Sequence, residues 1–135
     1  MENQVFESEI VIRETHLDTF GHVNNAVYLT LFEQARWAIV APRGFGLDDI
    51  RRSGLGPTLL EVKLQWKREI KNREKITIRT WVTSAAGKVQ NLRQVMVKES
   101  GEEACQADYV LALFDVKARR LVEPTPEWKA AIGLA

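Results

Sequence analysis

The segment from residue 26 to residue 40 limits the possible folds most, because it is apolar around nearly the whole circumference of a helix. Tyr28, Phe32, Ala35 and Ile39 recur at the spacing of one helical face. Only Thr30, Glu33, Gln34 and Arg36 carry side chains suited to water. A helix of this kind is normally surrounded by other structure. The sequence therefore predicts a central helix that the rest of the chain covers.

The ends of this helix are marked by residues that favour termination. Asn24 or Asn25 can cap its start, since asparagine side chains accept hydrogen bonds from the first helical N–H groups. Pro42 disfavours helical backbone at the residue before it and is expected to end the helix.

The remaining chain is dominated by strand patterns separated by short polar turns. Leu60, Val62, Leu64 and Trp66 alternate with polar residues, which predicts a strand with one buried face. Glycine turns separate the later strands and favour an antiparallel meander. The predicted strands cover residues 9–14, 60–67, 76–83, 89–99 and 104–116.

These elements predict an α+β fold in which a five-stranded antiparallel sheet is wrapped around one long helix. Residues 44–56 are expected to form a loop with about one helical turn, and residues 117–135 a tail with a short helix after Pro126. The 135 residues are fewer than an average domain uses, so one domain over 1–135 is expected, with no separate cofactor module.

Composition excludes several classes of function. A formal net charge of +1 is too small to favour nucleic-acid binding. Cys105 is the only cysteine and His16 and His22 are the only histidines, so neither a disulfide nor a metal site is expected. We expect no cofactor. The first residues lack the pattern of a signal peptide and no apolar run could span a membrane, which predicts a cytoplasmic protein.

Reactive side chains concentrate in the polar turn over residues 15–25, just before the central helix. A helix start offers unpaired N–H groups that can stabilise an oxyanion, and Asp18 lies one loop away in the sequence. Such a pair suits thioester hydrolysis, since a thiolate with a pKa of about 8.5 leaves without prior protonation. The alternative is structural: aspartate and asparagine are common turn and cap residues, and His22 can bond a loop carbonyl.

The same region resembles a known signature. Residues 18–29 read DTFGHVNNAVYL and residues 32–36 read FEQAR. They are similar to the pattern D-x-x-G-H-V-N-N-x-x-Y followed by F-E-x-A-R of the hot dog fold acyl-CoA thioesterases, the 4-hydroxybenzoyl-CoA thioesterase-like family. The resemblance implies hydrolysis of an acyl-CoA thioester to the free acid and coenzyme A.

The resemblance also implies roles for individual residues. Asp18 would be the nucleophile or the general base, and the backbone N–H near Asn25 would hold the oxyanion. His22 would shape the loop or contact substrate, because Phe20 stands where carrier-protein thioesterases have asparagine in an Asp-x-Asn-x-His pattern. Asn24 and Tyr28 are further expected to contact the substrate.

The resemblance further implies a homodimer, and a dimer of dimers, whose sheets join edge to edge around a shared active site. Glu61 and Gln65 are candidate contacts from the second chain. Basic residues outnumber acidic ones between residues 63 and 75, which suits the phosphates of coenzyme A, and Arg68 and Arg73 are the candidates. The alternative for both arginines is a solvated surface charge.

Cysteine and tryptophan leave further alternatives. Cys105 begins an apolar strand and is expected to pack in the core. The four tryptophans either line an acyl pocket or fill the core. Two other functions stay open: an acyl-CoA-binding module without turnover, and a hot dog hydratase or dehydratase with His22 as base.

Overall fold

A computed structural model describes residues 2–135 and shows a curled antiparallel sheet with one long helix on its concave face. The sheet order is β1-β3-β4-β5-β2, and a short strand β6 pairs with β5. The strands are β1 Phe6–Val11, β2 Leu55–Trp66, β3 Lys75–Ala86, β4 Val89–Lys98, β5 Glu103–Asp115 and β6 Arg120–Leu121. The helices are α1 Val27–Val40, α2 Leu47–Ser53 and α3 Pro126–Ala131, and single 3-10 turns cover Glu14–His16 and Ala41–Arg43.

Glycine turns close the meander from β3 to β5, as the sequence predicts. Gly87 and Gly101 have φ values of +59° and +90°, a left-handed backbone that other residues adopt at a cost. Each turn brings the next strand back antiparallel to the previous one. The predicted antiparallel meander is confirmed, whereas β6 is an addition that no sequence pattern indicated.

The core lies between α1 and the concave face of the sheet. Phe32 and Leu31 of α1 are almost fully buried, together with Ile78 of β3, Met96 of β4 and Leu113 of β5. Burial of one such side chain contributes about 1.5–3 kcal/mol. The central position predicted for the helix is confirmed, and Cys105 lies in the same core.

The start of α1 differs from the expected side-chain cap. Ala26 occupies the N-cap position with helical backbone angles, and no side chain caps it. Asn24 instead accepts a hydrogen bond from the N–H of Ala26 at 2.9 Å, which forms a turn before the helix. The predicted cap by Asn24 or Asn25 is therefore wrong for the N-cap position: Asn25 makes no such bond, and Asn24 bonds one residue earlier, in the turn that leads into the helix.

The buried face predicted for β2 is also wrong for the single chain. Leu60, Val62 and Trp66 are 50%, 41% and 55% exposed. β2 is the last strand of the sheet, and a bulge at Leu60 interrupts its pairing with β5. At this end of the sheet little of the same chain covers these side chains, so the apolar residues of β2 remain accessible.

The segments flanking the core agree only in part with the predictions. α2 covers seven residues where one helical turn is expected between residues 44 and 56, and β2 begins at Leu55 instead of residue 60. α3 is the short helix expected after Pro126. Trp128 of α3 is buried against Phe45 and donates a hydrogen bond from Nε1 to Oε1 of Gln90 at 2.8 Å. No helix within residues 2–135 has the length and apolar character needed to cross a membrane.

Candidate active site

The Asp18 loop, residues 17–25, is shaped mainly by its own backbone. Leu17 and Val23 form an antiparallel bridge, and the N–H of Asp18 donates to the carbonyl of His22 at 2.8 Å. The turn between them needs Gly21, whose φ of +82° is rarely adopted by residues with a side chain. The sequence of this loop therefore encodes its conformation locally.

The carboxylate of Asp18 is oriented by two backbone donors. Its Oδ1 accepts hydrogen bonds from the N–H of Phe20 at 2.9 Å and from the N–H of His22 at 3.2 Å. Its Oδ2 has no hydrogen-bond partner among residues 2–135. One carboxylate oxygen is therefore held by the loop, while the other is available to a substrate.

Two further backbone bonds fix the loop against the start of α1. The N–H of Val23 donates to the carbonyl of Ile70 at 2.9 Å, and the N–H of Asn24 donates to the carbonyl of His16 at 2.9 Å. At the helix start, the N–H of Asn25 has no acceptor within the described part of the chain. An unpaired N–H at a helix start carries partial positive charge and suits an anionic oxygen.

The loop and the helix start form one wall of an open cleft of about 340 Å³, here called the α1 cleft. Trp66, at the end of β2, contacts the ring of Tyr28 edge to face, with centroids 6.5 Å apart. The α1 cleft is lined by Asp18, His22, Val23, Asn25, Tyr28, Trp66, Lys67, Arg68 and Glu69.

Tyr28 presents a protonated phenol to this cleft. Burial raises the pKa of Tyr28 to about 12, and the nearby Cys105, Asp18 and Glu69 reinforce the shift. The tyrosine therefore remains neutral at physiological pH. A neutral phenol can donate a hydrogen bond to a substrate oxygen.

His22 faces an acidic partner on the opposite wall. Its Nε2 lies 2.8 Å from Oε2 of Glu69, and Nζ of Lys71 lies 3.4 Å from the other oxygen of the same carboxylate. His22 and Lys71 also form an isolated β-bridge through their backbones. The pair joins the Asp18 loop to the segment that follows β2, so His22 does not bond a loop carbonyl through its side chain.

The structure brings most of the sequence-predicted site residues together. Asp18, His22, Asn25, Tyr28 and Arg68 all line the α1 cleft. Asn24 lies beside the cleft, and its side chain is occupied by the turn described above.

Glu61 and Arg73 are not among the lining residues. Glu61 pairs with Val110 and so lies on the convex side of the sheet, opposite to the buried Tyr109. The guanidinium of Arg73 binds the carboxylate of Glu14 at 2.6 Å.

Sequence reasoning does not identify four residues of the cleft as site residues, namely Val23, Trp66, Lys67 and Glu69. Glu69 and Lys67 belong to a charged stretch in which no spacing distinguishes one residue from another. The strand pattern includes Trp66 but does not distinguish between a pocket residue and a core residue. Trp66, Lys67 and Glu69 lie at or just after the end of the edge strand β2, and this position becomes informative only when β2 is placed beside α1.

Other reactive groups lie away from the cleft surface. Cys105 is fully buried, and burial raises the pKa of its thiol to about 12, so it stays protonated. Among residues 2–135, no three histidine, cysteine or acidic side chains are grouped as metal ligands would be.

The fold and the position of the cleft define the class of this protein. A curled antiparallel sheet around one long helix is the hot dog fold, and the chain falls in the class of the thioester hydrolases. The profile of the Thioesterase-like superfamily matches residues 12–132, and the chain belongs to this family.

Individual relatives agree with this assignment. The chain is 26% identical over 121 residues to the long-chain acyl-CoA thioesterase FadM of Escherichia coli, covering 84% of this chain and 86% of FadM. It is 29% identical over 86 residues to the chloroplastic acyl-acyl carrier protein thioesterase ATL3 of Arabidopsis thaliana, covering 62% of this chain but only 45% of ATL3. A Staphylococcus aureus protein solved in complex with CoA shares the fold with a TM-score of 0.88, at 17% identity, over 98% of this chain and 84% of that chain.

Proposed function

We propose that the chain hydrolyses acyl-CoA thioesters in the α1 cleft. The observation that carries the proposal is the pairing of two unoccupied groups on one cleft: Oδ2 of Asp18 and the N–H of Asn25. The first can attack or deprotonate, and the second can hold the oxygen that becomes negative.

In the proposed reaction the thioester carbonyl accepts a hydrogen bond from the N–H of Asn25. If Asp18 acts as general base, it takes a proton from water while the water oxygen bonds to the carbonyl carbon. The tetrahedral oxyanion then collapses, the C–S bond breaks, and the thiolate of coenzyme A leaves together with the free acid. If Asp18 acts as nucleophile, an acyl-aspartyl anhydride forms first and water hydrolyses it. Neither route needs a proton donor for the leaving thiolate.

The remaining cleft residues have proposed binding roles. The Tyr28 phenol and His22 face the space in which the thioester would lie, and Asn24 shapes the turn beside it. Arg68 at the rim is the candidate for a phosphate of coenzyme A, although Glu102 lies 2.7 Å from its Nε. Lys67 lines the same cleft and adds a second positive charge. Arg73 has a weaker case, because Glu14 occupies its guanidinium.

The proposed assembly is a homodimer, with a dimer of dimers as its further form. β2 is long and exposes a row of apolar side chains at the sheet edge, and such edges pair with other chains. Two β2 strands paired antiparallel would place the Trp66 end of one chain beside the Leu59 end of the other. A second chain would then complete the α1 cleft. Glu61 and Gln65 have a weaker case as its contacts, because their pairing with Val110 and Gln106 puts them on the convex face of the sheet.

The names of the relatives support the substrate class. FadM is a long-chain acyl-CoA thioesterase, and the Staphylococcus aureus protein was solved with CoA bound. The available carboxylate oxygen of Asp18 favours an enzyme over a binding module without turnover. Glu69 occupies Nε2 of His22, which leaves only Nδ1 to act on a substrate, so a hydratase with His22 as base has less support. The cytoplasmic location stays a prediction.

A panel of acyl-CoAs assayed with a thiol reagent tests this function. A thioesterase releases free coenzyme A, whereas a binding module or a hydratase does not. Cys105 should not add to the signal, because it is buried and protonated. Release of coenzyme A from at least one acyl-CoA is expected. Binding of every acyl-CoA without release would contradict the proposal.

A further inference from the structure

A second cavity lies along the flank of α1, farther from the Asp18 loop than the α1 cleft. Its volume is about 120 Å³, and we call it the flank cavity. Glu33, Arg36 and Val40 line it, and their spacing places them on one stripe of the helix. Leu29 continues this stripe towards the α1 cleft and is 39% exposed. Most of the other lining residues are apolar, among them Trp37, Leu59, Leu92, Leu111 and Trp128.

Arg36 introduces a charge into this apolar space. Its guanidinium lies over the ring of Tyr109, 4.5 Å from the centroid, and its Nη1 donates to Oε1 of Gln94 at 2.9 Å. No carboxylate within residues 2–135 forms an ion pair with it. A guanidinium has five N–H donors, so Arg36 retains donors that no protein acceptor uses.

Two other polar groups line the same cavity. Thr80 is buried, with an exposed fraction of 3%. Its hydroxyl oxygen accepts a hydrogen bond from Nε2 of Gln94 at 3.0 Å, so its own O–H proton remains available to a ligand. Glu33 contributes a carboxylate that makes no ion pair within the described part of the chain. The cavity therefore offers hydrogen-bond donors from Arg36 and Thr80 and an acceptor from Glu33. The positive charge of Arg36 and the negative charge of Glu33 cancel.

Such a combination suits a neutral group that both accepts and donates. We propose that the flank cavity binds the distal part of the acyl group and selects acyl chains that carry a hydroxyl there. Arg36 and Thr80 donate to the hydroxyl oxygen, and Glu33 accepts its proton. The apolar lining holds the methylene chain. This inference rests on the proposed hydrolysis of acyl-CoA in the α1 cleft and names its substrate class.

The position of the hydroxyl follows from the length of α1. Tyr28 in the α1 cleft and Arg36 in the flank cavity are eight residues apart, or about 12 Å along the helix axis. A hydroxyl close to the thioester cannot reach Arg36. A hydroxyl at the far end of a medium-length chain can.

The test compares the kcat/KM values of three substrates: dodecanoyl-CoA, ω-hydroxydodecanoyl-CoA and 3-hydroxydodecanoyl-CoA. The kcat/KM for the ω-hydroxy chain is expected to exceed that for the unsubstituted chain by at least about tenfold, which is the usual effect of a hydrogen bond to a charged donor. The 3-hydroxy chain should gain nothing. Equal kcat/KM values for the ω-hydroxy and unsubstituted chains would overturn the inference and leave the proposed hydrolysis standing. No release of coenzyme A from any chain would overturn the proposed hydrolysis, and the inference with it.

Variants show whether Arg36 is the selecting residue. Arg36→Met should reduce the preference to less than about twofold, whereas Gln34→Met, on an exposed position of the same helix, should keep it. A preference that survives in folded Arg36→Met overturns the inference. If Arg36→Met does not fold, Glu33→Ala replaces an exposed side chain and should still weaken the preference several-fold. An unchanged preference in Glu33→Ala would contradict the role given to its carboxylate.

Discussion

The α1 cleft and the flank cavity lie beside the same helix but are built in different ways. The cleft wall is a nine-residue loop, residues 17–25, whose backbone bonds hold Asp18 and leave the N–H of Asn25 unpaired. The flank cavity is assembled from side chains of β1, α1, β2, β3, β4, β5 and α3 and its vicinity. The cleft is polar and open, whereas the cavity is mainly apolar with one guanidinium.

This difference separates chemistry from selection. Groups that react must be held within a few tenths of an ångström, and a short loop with a required glycine does this locally. Side chains that select the acyl chain must line a pocket of complementary shape, and several elements can form such a pocket together. We therefore expect substitutions in the cleft to lower kcat and substitutions in the flank cavity to change substrate preference.

The largest effect outside Asp18 is expected at the oxyanion donor. Asn25→Pro removes the backbone N–H, and loss of one such donor costs about 10²–10³ in kcat. Asn25→Ala keeps the N–H and should retain kcat within about threefold, because the Asn25 side chain does not cap α1. Steady-state kinetics on the best acyl-CoA measures both, once circular dichroism shows that each variant is folded. Equal kcat values for the two variants would show that the oxyanion is bound elsewhere. The N–H of Asn25 would then no longer support the proposed function.

The second effect tests whether a partner chain completes the site. Val62 lies on β2 between the Trp66 and Leu59 ends, and Val62→Lys would put a charge on the exposed apolar edge. Charged residues on an edge oppose pairing, so dimers should dissociate and kcat/KM should fall by about tenfold or more. Val11→Lys, on β1 at the opposite edge, replaces a valine that is 39% exposed, against 41% for Val62; it is the matched control and should remain dimeric and active.

Light scattering and activity measured at the same micromolar concentration give the result. A fully active Val62→Lys monomer would show that one chain holds a complete site. It would also remove Glu61 and Gln65 as contacts from a second chain.

The smallest effect concerns the phosphates of coenzyme A. Arg68 lines the α1 cleft, whereas Arg73 is held by Glu14. Arg68→Ala should raise KM by about three- to tenfold with little change in kcat, as expected for a partly exposed charge. Arg73→Ala should leave both constants within about twofold. A larger rise in KM for Arg73→Ala than for Arg68→Ala would show that the phosphates bind outside the cleft.

The local parts of the molecule could be predicted from sequence and the long-range parts could not. The Asp18 loop is encoded by its own residues, with Gly21 providing the left-handed backbone, and the meander is encoded by Gly87 and Gly101. The His22–Glu69 pair depends on how the segment after β2 meets the loop, which no local pattern records. The exposure of Val62 was missed because alternation shows that one face is apolar, but not which surface covers it.

The flank cavity escaped prediction for a related reason. The sequence pattern predicts that Arg36 is one of the few helix residues facing water, whereas its guanidinium packs over Tyr109 beside the cavity. Long side chains with a charged end can cover apolar surface in this way. Only the packing of α1 on the sheet shows which polar residues of the helix turn inward.

The most direct test of the central claim is the turnover of Asp18→Asn and Asp18→Ala on the best acyl-CoA. Loss of a catalytic nucleophile or base should lower kcat at least about 10²-fold, or about 2.7 kcal/mol of transition-state stabilisation. Binding of the substrate should persist, because the rest of the cleft is retained, and both variants should be folded by circular dichroism. Folded Asp18→Ala that kept more than about a third of the wild-type kcat would contradict this claim. A loss of less than about threefold is far smaller than the loss expected for a catalytic group, and Asp18 would then not be the reacting group.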